Sequence, residues 1–312
     1  MNNDLAARGL FCAIATPLDN DGRVNREAFQ AHATHLLAEG CDGIAPFGTT
    51  GEGPSFAVAE RKAGLEMLLQ HGIAAPRIVA GAGAAAVSDA ITLGRHALSL
   101  GVTQLLMLPP FYFKELSDDD LYAAYGAIID GIGDPRLRLV LYHIPQVPQV
   151  PLTVGAIARL ASDYPGIIAG IKDSAADLGH TLTLIRRFPE IRVFCGAEQH
   201  LPDVLQAGGA GTICGLANLV PRFMRRLRET KPAEAQALVS GITALADAVC
   251  DGPFVSRLKA LMAVTTGDEQ WRHTAPPLLP LSAEGTAVLL RKARATGALG
   301  DDWPGLRPLA AQ

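Results

Sequence analysis

Short apolar, β-branched runs alternate with longer amphipathic stretches along most of the chain. Candidate strands occupy 11–17 (FCAIATP), 43–48 (GIAPFG), 77–83 (RIVAGAG) and 104–110 (QLLMLPP). Four more fall at 138–145 (RLVLYHIP), 168–173 (IAGIKD), 191–196 (IRVFCG) and 211–216 (GTICGL). Their nearly continuous apolarity is that of parallel strands covered on both faces. The stretches 25–40, 58–72, 88–101 and 117–133 place apolar residues three and four apart, the period of a helix with one buried face. Gly40 is a C-terminal stop, and Ser117 with the three aspartates after it is an N-terminal cap. Eight strand–helix units predict a closed (β/α)8 TIM barrel over residues 1–232. An open doubly wound sheet is the rival, but no G-x-G-x-x-G follows the first strand. Past residue 232 only helical patterns continue, broken by the proline-rich TAPPLLPLS at 274–282, which predicts a small helical domain over 233–312.

Composition narrows the classes of function. Hydrophobic residues make up 49% and charged residues 19% of the 312, as in ordinary globular chains. A net charge of −4 argues against general attraction to nucleic acid or to an anionic membrane. The cluster Arg222, Arg225, Arg226 and Arg228 is expected to be a solvated helix face near a C-terminus. The opening MNNDLAARGL has no basic stretch leading into an apolar run, so no signal peptide is expected, and no segment approaches a membrane span. Cys12, Cys41, Cys195, Cys214 and Cys250 are odd in number and never form C-x-x-C. They are expected to be reduced, mostly buried thiols of a cytoplasmic protein rather than catalytic groups.

Lysine is where chemistry enters. Of the six, Lys62, Lys114, Lys231, Lys259 and Lys292 lie in amphipathic or polar surroundings and are expected at the surface. Lys172 ends the apolar run IAGIK. Burial favours its neutral amine, the form that attacks a carbonyl, and barrel enzymes place catalytic groups at C-terminal strand ends. A structural lysine paired with Asp173 or another carboxylate is the alternative. GTTGEG (48–53) follows the second strand; its amides and the hydroxyls of Thr49 and Thr50 suit a carboxylate, although an ordinary turn has the same composition. Glu52 is expected to support that loop rather than act as a base. Tyr142 either relays protons or fills the core. Tyr112, between Phe111 and Phe113 after the fourth strand, suits either the site or a subunit interface. The histidines show no metal-ligand spacing: His32 and His35 lie on the first helix, and alternation turns His143 toward the outer helices. AGGAGT (207–212) is a phosphate-loop candidate beside the eighth strand.

GTTGE, PPFY, LYHIP and GIKD in this order are far more specific than any one alone. Together they resemble the dihydrodipicolinate synthase/N-acetylneuraminate lyase family of Schiff-base barrels, and the resemblance runs from ATPLDNDGRVN (15–25) to PPLLPLS (276–282). It implies that Lys172 forms an imine with C2 of pyruvate and that Tyr142 shuttles the protons. Thr49 would extend that relay, while Thr50 and Gly51 would bind the pyruvate carboxylate. Tyr112 would be the relay tyrosine that some members supply from a neighbouring subunit, so a homo-oligomer, a dimer or homotetramer, is implied. Gly196 and Ile213 would line the pyruvate site through their backbone. The implied enzyme is a metal-independent lyase with no cofactor beyond the lysine imine. It would join pyruvate to an aldehyde or cleave a 2-oxo-3-deoxy or 4-hydroxy acid. Its partner is thus a small 2-oxo acid, with no nucleic acid or membrane. Dihydrodipicolinate synthases carry an arginine five residues after the relay tyrosine, where it binds the aspartate-semialdehyde carboxylate; here that position is Val147. GTTGEGPS and KDSAAD look as much like sugar-acid or hydroxy-oxoglutarate aldolases. A true 4-hydroxy-tetrahydrodipicolinate synthase, a sugar-acid dehydratase and a non-catalytic 2-oxo-acid-binding barrel are the alternatives.

Overall fold

Each apolar run becomes a strand because both its faces are covered, one by the barrel lumen and one by helices. In the computed structural model, which describes residues 7–299, the strands are β1 (Gly9–Cys12), β2 (Gly43–Ile44), β3 (Val79–Gly81) and β4 (Gln104–Met107). They continue as β5 (Arg138–His143), β6 (Ile168–Asp173), β7 (Arg192–Cys195) and β8 (Gly211–Cys214). The first six residues of the expected leaderless start and residues 300–312 of the expected C-terminal domain lie outside the described residues. All pairings are parallel in the order β2-β1-β8-β7-β6-β5-β4-β3, and a parallel bridge between Ile44 and Ile78 closes the ring. The (β/α)8 barrel expected from the periodicity is the observed fold.

Strand alternation decides what faces the lumen. Leu10 and Cys12, Leu139 and Leu141, and Ile171 pack outward against the helices. Their neighbours Phe11, Ala13, Val140, Tyr142, Phe194 and Ile213 fill the lumen. Because Ile171 is outward, Lys172 is turned inward, and because Leu141 is outward, so is Tyr142. Phe194, 1% exposed, stands opposite Lys172 on β7. Truncating such a buried ring to alanine costs about 3–5 kcal/mol.

The barrel helices are α1 (Arg26–Ala38), α2 (Val58–Gln70), α3 (Val87–Ser99), α4 (Asp118–Ile132), α5 (Val154–Asp163), α6 (Leu178–Arg187), α7 (Leu201–Gln206) and α8 (Pro221–Glu229). The expected caps are present: Ser117 accepts from the Asp120 amide while Asp120 returns a bond to the Ser117 amide, and Gly40 follows α1 at φ +103°. On α8, Arg222 pairs with Glu39 and Arg228 with Asp42, so the basic face is partly neutralised. Three helices follow, α9 (Gln236–Cys250), α10 (Phe254–Thr266) and α11 (Ala283–Arg294). Among the described residues no single helix is long and apolar enough to cross a membrane; α9 and α10 are apolar as a pair but meet at 112°.

Two expectations are corrected. Lys259 is not a surface lysine: it lies wholly buried on α10, ion-paired with Glu52. The 207–212 segment leads into β8 and forms its start, so it lies at the N-terminal ends of the strands, away from Lys172 at their C-terminal ends, and is no phosphate loop of that C-terminal face. Its Gly211 is there because a Cβ would stand 2.0 Å from the carbonyl oxygen of Gly9.

Candidate active site

Lys172 and Tyr142 stand directly opposite each other in the β5–β6 register, both at C-terminal strand ends and both turned into the lumen. The Lys172 Nζ lies 4.2 Å from the centre of the Tyr142 ring, and the lysine is only 4% exposed. The alternative pairing with Asp173 is absent. That carboxylate points outward, where it accepts from Thr181 Oγ1 at 2.7 Å, His180 Nδ1 at 2.9 Å and the Ala175 amide at 3.1 Å. Among the described residues no carboxylate is bonded to Lys172, so nothing fixed holds its amine back from a carbonyl.

The GTTGEG loop closes over the same strand ends. Thr49 Oγ1 is 3.5 Å from the Tyr142 hydroxyl, a loose contact of the kind that tightens when substrate enters. Thr50 is buried, and the Gly51 carbonyl accepts from Thr16 Oγ1 at 2.8 Å. Gly53 has to be glycine, since a Cβ would come within 1.9 Å of the Phe47 carbonyl oxygen. Gly196 is held to glycine by Ser174, whose Oγ would lie 1.9 Å from an added Cβ. Ile213 is fully buried in the lumen cluster with Tyr142 and Phe194. Lys172, Tyr142, Thr49, Thr50, Gly51, Gly196 and Ile213 therefore converge on the C-terminal end of one barrel.

Tyr112 does not join them. It is 75% exposed on the loop after β4, edge-to-face with Phe113, which is 74% exposed. Lys114 ties this loop to the next by donating to the carbonyls of Phe111 and, at 2.7 Å, Pro148. Val147 sits on that second loop, 57% exposed.

Behind the strands, His143 and His180 bring their rings within 4.9 Å, and with Asp173 they are the group among the described residues whose donor atoms could hold a metal ion. Their hydrogen bonds fit a polar network better. His143 Nδ1 accepts the Leu152 amide at 3.1 Å, which places its proton on Nε2, and His180 Nδ1 is engaged by Asp173. Burial lowers the pKa of His143 below the ordinary imidazole value, against the pull of Asp173. The thiols suit no nucleophile either: burial pushes Cys41 and Cys195 up to about 12, and Cys12 and Cys214 well above the usual range.

Two buried residues beside these strand ends carry no motif in the sequence. Glu198, after β7, is buried; burial raises its carboxyl above the usual range, opposed by the Leu216 amide at 3.0 Å and by the charge of Lys172. Asn218, after β8, uses all its bonding positions. Its Nδ2 donates to the Ala13 and Gly215 carbonyls, and its Oδ1 accepts from the Ala15 amide and from His32 Nε2. A glutamate two residues past a strand-ending glycine was the available signal for the first; an asparagine in LANLV offered none.

A sequence profile of the Dihydrodipicolinate synthetase family matches residues 6–295. An uncharacterized DapA-like lyase of Chloroflexus aurantiacus is 36% identical over 290 residues, covering 90% of this chain and 94% of its own. A 4-hydroxy-tetrahydrodipicolinate synthase of Acidiphilium cryptum is 33% identical over 299 residues, covering 91% and 96%. The crystal structure of a dihydrodipicolinate synthase from Agrobacterium tumefaciens superimposes with a TM-score of 0.85 at 34% identity, over 92% of this chain and 99% of that one.

Proposed function

The chain belongs to the dihydrodipicolinate synthetase family and is a lyase of the aldolase type, and on that premise we propose that Lys172 is its imine-forming residue, acting on pyruvate or a close 2-oxo acid. The observation that carries the proposal is the pairing of a buried lysine, bonded to no carboxylate among the described residues, with the tyrosine opposite it at 4.2 Å.

In this scheme the Lys172 amine adds through its nitrogen lone pair to C2 of the 2-oxo acid. Tyr142 gives the developing alkoxide its proton and then assists loss of water, leaving a protonated imine. Thr49 extends the relay, and Thr50 with the Gly51 backbone holds the carboxylate. The imine withdraws electrons from C3, which loses a proton to the Tyr142 phenolate left by the loss of water, giving an enamine. That carbon attacks an aldehyde, and water releases the product and restores the amine. In reverse, the same enamine leaves when a 2-oxo-4-hydroxy acid is cleaved. Every step uses side chains of the barrel and requires no metal. We assign these groups to a barrel domain, 1–232, and take 233–312 as a second domain, whose described helices are α9, α10 and α11. The five unpaired thiols, four of them buried, favour a cytoplasmic enzyme, and the exposed Tyr112 loop favours a homo-oligomer.

Incubation with pyruvate and borohydride, followed by peptide mass analysis, is expected to find a reduced adduct on Lys172. An unlabelled Lys172 in folded protein would overturn the mechanism. The lysine-pathway reaction with aspartate semialdehyde is favoured by the similarity to the Acidiphilium cryptum enzyme. Val147 opposes it, because a valine offers no charge to a second carboxylate. An acceptor screen containing aspartate semialdehyde and sugar-derived aldehydes separates these substrates: efficient turnover of aspartate semialdehyde overturns the inference from Val147.

A further inference from the structure

The GTTGEG loop is held from outside the barrel. Glu52 takes a left-handed backbone at φ +56°, and its carboxylate is buried. One carboxylate oxygen is ion-paired with Lys259 of α10; the other accepts the Ala275 amide at 2.6 Å. Lys259 in turn donates to the His273 carbonyl at 2.7 Å. Side-chain exposures of 1% for Lys259 and 0% for Glu52 take both charges out of water. An interior ion pair is commonly matched or exceeded in stability by apolar residues of the same volume, so stability alone is a poor reason for one here. The same region approaches the site a second time: at Gly215 a Cβ would lie 2.6 Å from the Phe254 ring of α10 and 3.2 Å from Thr50 Oγ1.

We propose that Glu52 and Lys259 are positioning residues through which the C-terminal helices set Thr49 and Thr50 in register with Tyr142. The proposal rests on the imine chemistry assigned above to Lys172. Glu52 is three residues past Thr49, and the loop is internally bonded through Glu52 N to Thr49 O and Gly53 N to Gly48 O. A shift of the Glu52 anchor is therefore passed to the threonine hydroxyls. The 3.5 Å contact between Thr49 and Tyr142 has no slack to lose. Misplacement of a relay group by about 1 Å is enough to cost on the order of a hundredfold in rate.

The test compares wild type, Glu52→Gln, and the double variant Glu52→Gln/Lys259→Met, which removes both charges while keeping volume. Far-UV circular dichroism selects folded variants; pyruvate–borohydride trapping rates, kcat and KM are then measured. Folded variants are expected to trap pyruvate and turn over about tenfold to a hundredfold more slowly. The amides of Glu52 and Gly53 should exchange faster in them, and kcat should fall by more than KM rises. A folded variant with wild-type trapping and kcat overturns the proposal. Wild-type enzyme that traps no pyruvate would instead overturn the assignment of Lys172. Should neither variant fold, hydrogen exchange on wild type decides: Glu52 and Gly53 amides that open together with α10 support the coupling, and amides that open independently of α10 overturn it.

Discussion

At Tyr142 the ring and the hydroxyl do separable work. The ring lies 4.2 Å from the Lys172 Nζ and helps fill the lumen, while the hydroxyl faces Thr49. Tyr142→Phe keeps the first and removes the second. The variant is therefore expected to fold with unchanged stability and to reach the same final extent of pyruvate trapping. Its kcat is expected to fall about 10²–10⁴-fold, the usual contribution of a positioned acid or base. Thr49→Val should lower kcat by less, because in the proposed relay Thr49 stands behind Tyr142. Rapid-quench trapping beside steady-state kinetics checks both, and a kcat within twofold of wild type for Tyr142→Phe would exclude its hydroxyl from the relay. Lys172 itself was legible because it is the one lysine ending an apolar strand. Lys259 was not: SRLKALMAV has a helical period, and a period cannot reveal that a lysine on the buried face meets Glu52 from the other end of the chain.

Between elements, α1 is joined to the ends of β1 and β8 through His32 and Asn218. His32 Nε2 donates to Asn218 Oδ1 at 2.9 Å, and burial lowers the His32 pKa to about 4. The folded state thus holds His32 neutral while the unfolded chain protonates it near 6.5. Its share of stability is complete above about pH 6.5 and is lost as pH falls toward 4. The gap from 6.5 to about 4 corresponds to about 3 kcal/mol. His32→Gln keeps an N–H for Asn218 but does not titrate. Urea unfolding at pH 7.5 and 4.5 should show a smaller loss on acidification in the variant; equal losses would remove His32 as the cause. The elements were the most legible level, since eight apolar runs and the end signals at Ser117 and Gly40 mark their own ends. The bonds between elements were not, because Asn218 looks like any turn residue and the Asp173–His180–His143 network joins residues whose spacing follows no ligand motif. The 207–212 glycines misled for the same reason: composition does not say at which end of a strand a loop lies.

Over the whole molecule, one apolar feature near the C-terminal mouth of the barrel has no cover among the described residues. Tyr112 and Phe113 stand out from the surface, with Val147 exposed on the loop that Lys114 ties to theirs. Exposed aromatic pairs of this kind are typical of interface cores. If a second copy covers the patch, Tyr112 of each subunit can reach the neighbour's Lys172 site, and this is testable without knowing the second substrate. Lys172→Ala lacks the proposed nucleophile but keeps Tyr112; Tyr112→Phe keeps Lys172 but lacks the hydroxyl proposed for the relay. Each is expected to be nearly inactive alone. After the two are unfolded and refolded together, half of all pairs in a two-fold dimer are mixed, and each mixed pair has one complete site. Activity should return to about a quarter of wild type per subunit. No regain, with sedimentation showing mixed oligomers, would confine Tyr112 to its own subunit or exclude it from catalysis. Sedimentation of a monomer at assay concentration would remove the interface itself, and with it the reason an otherwise exposed tyrosine lies beside the mouth of this barrel.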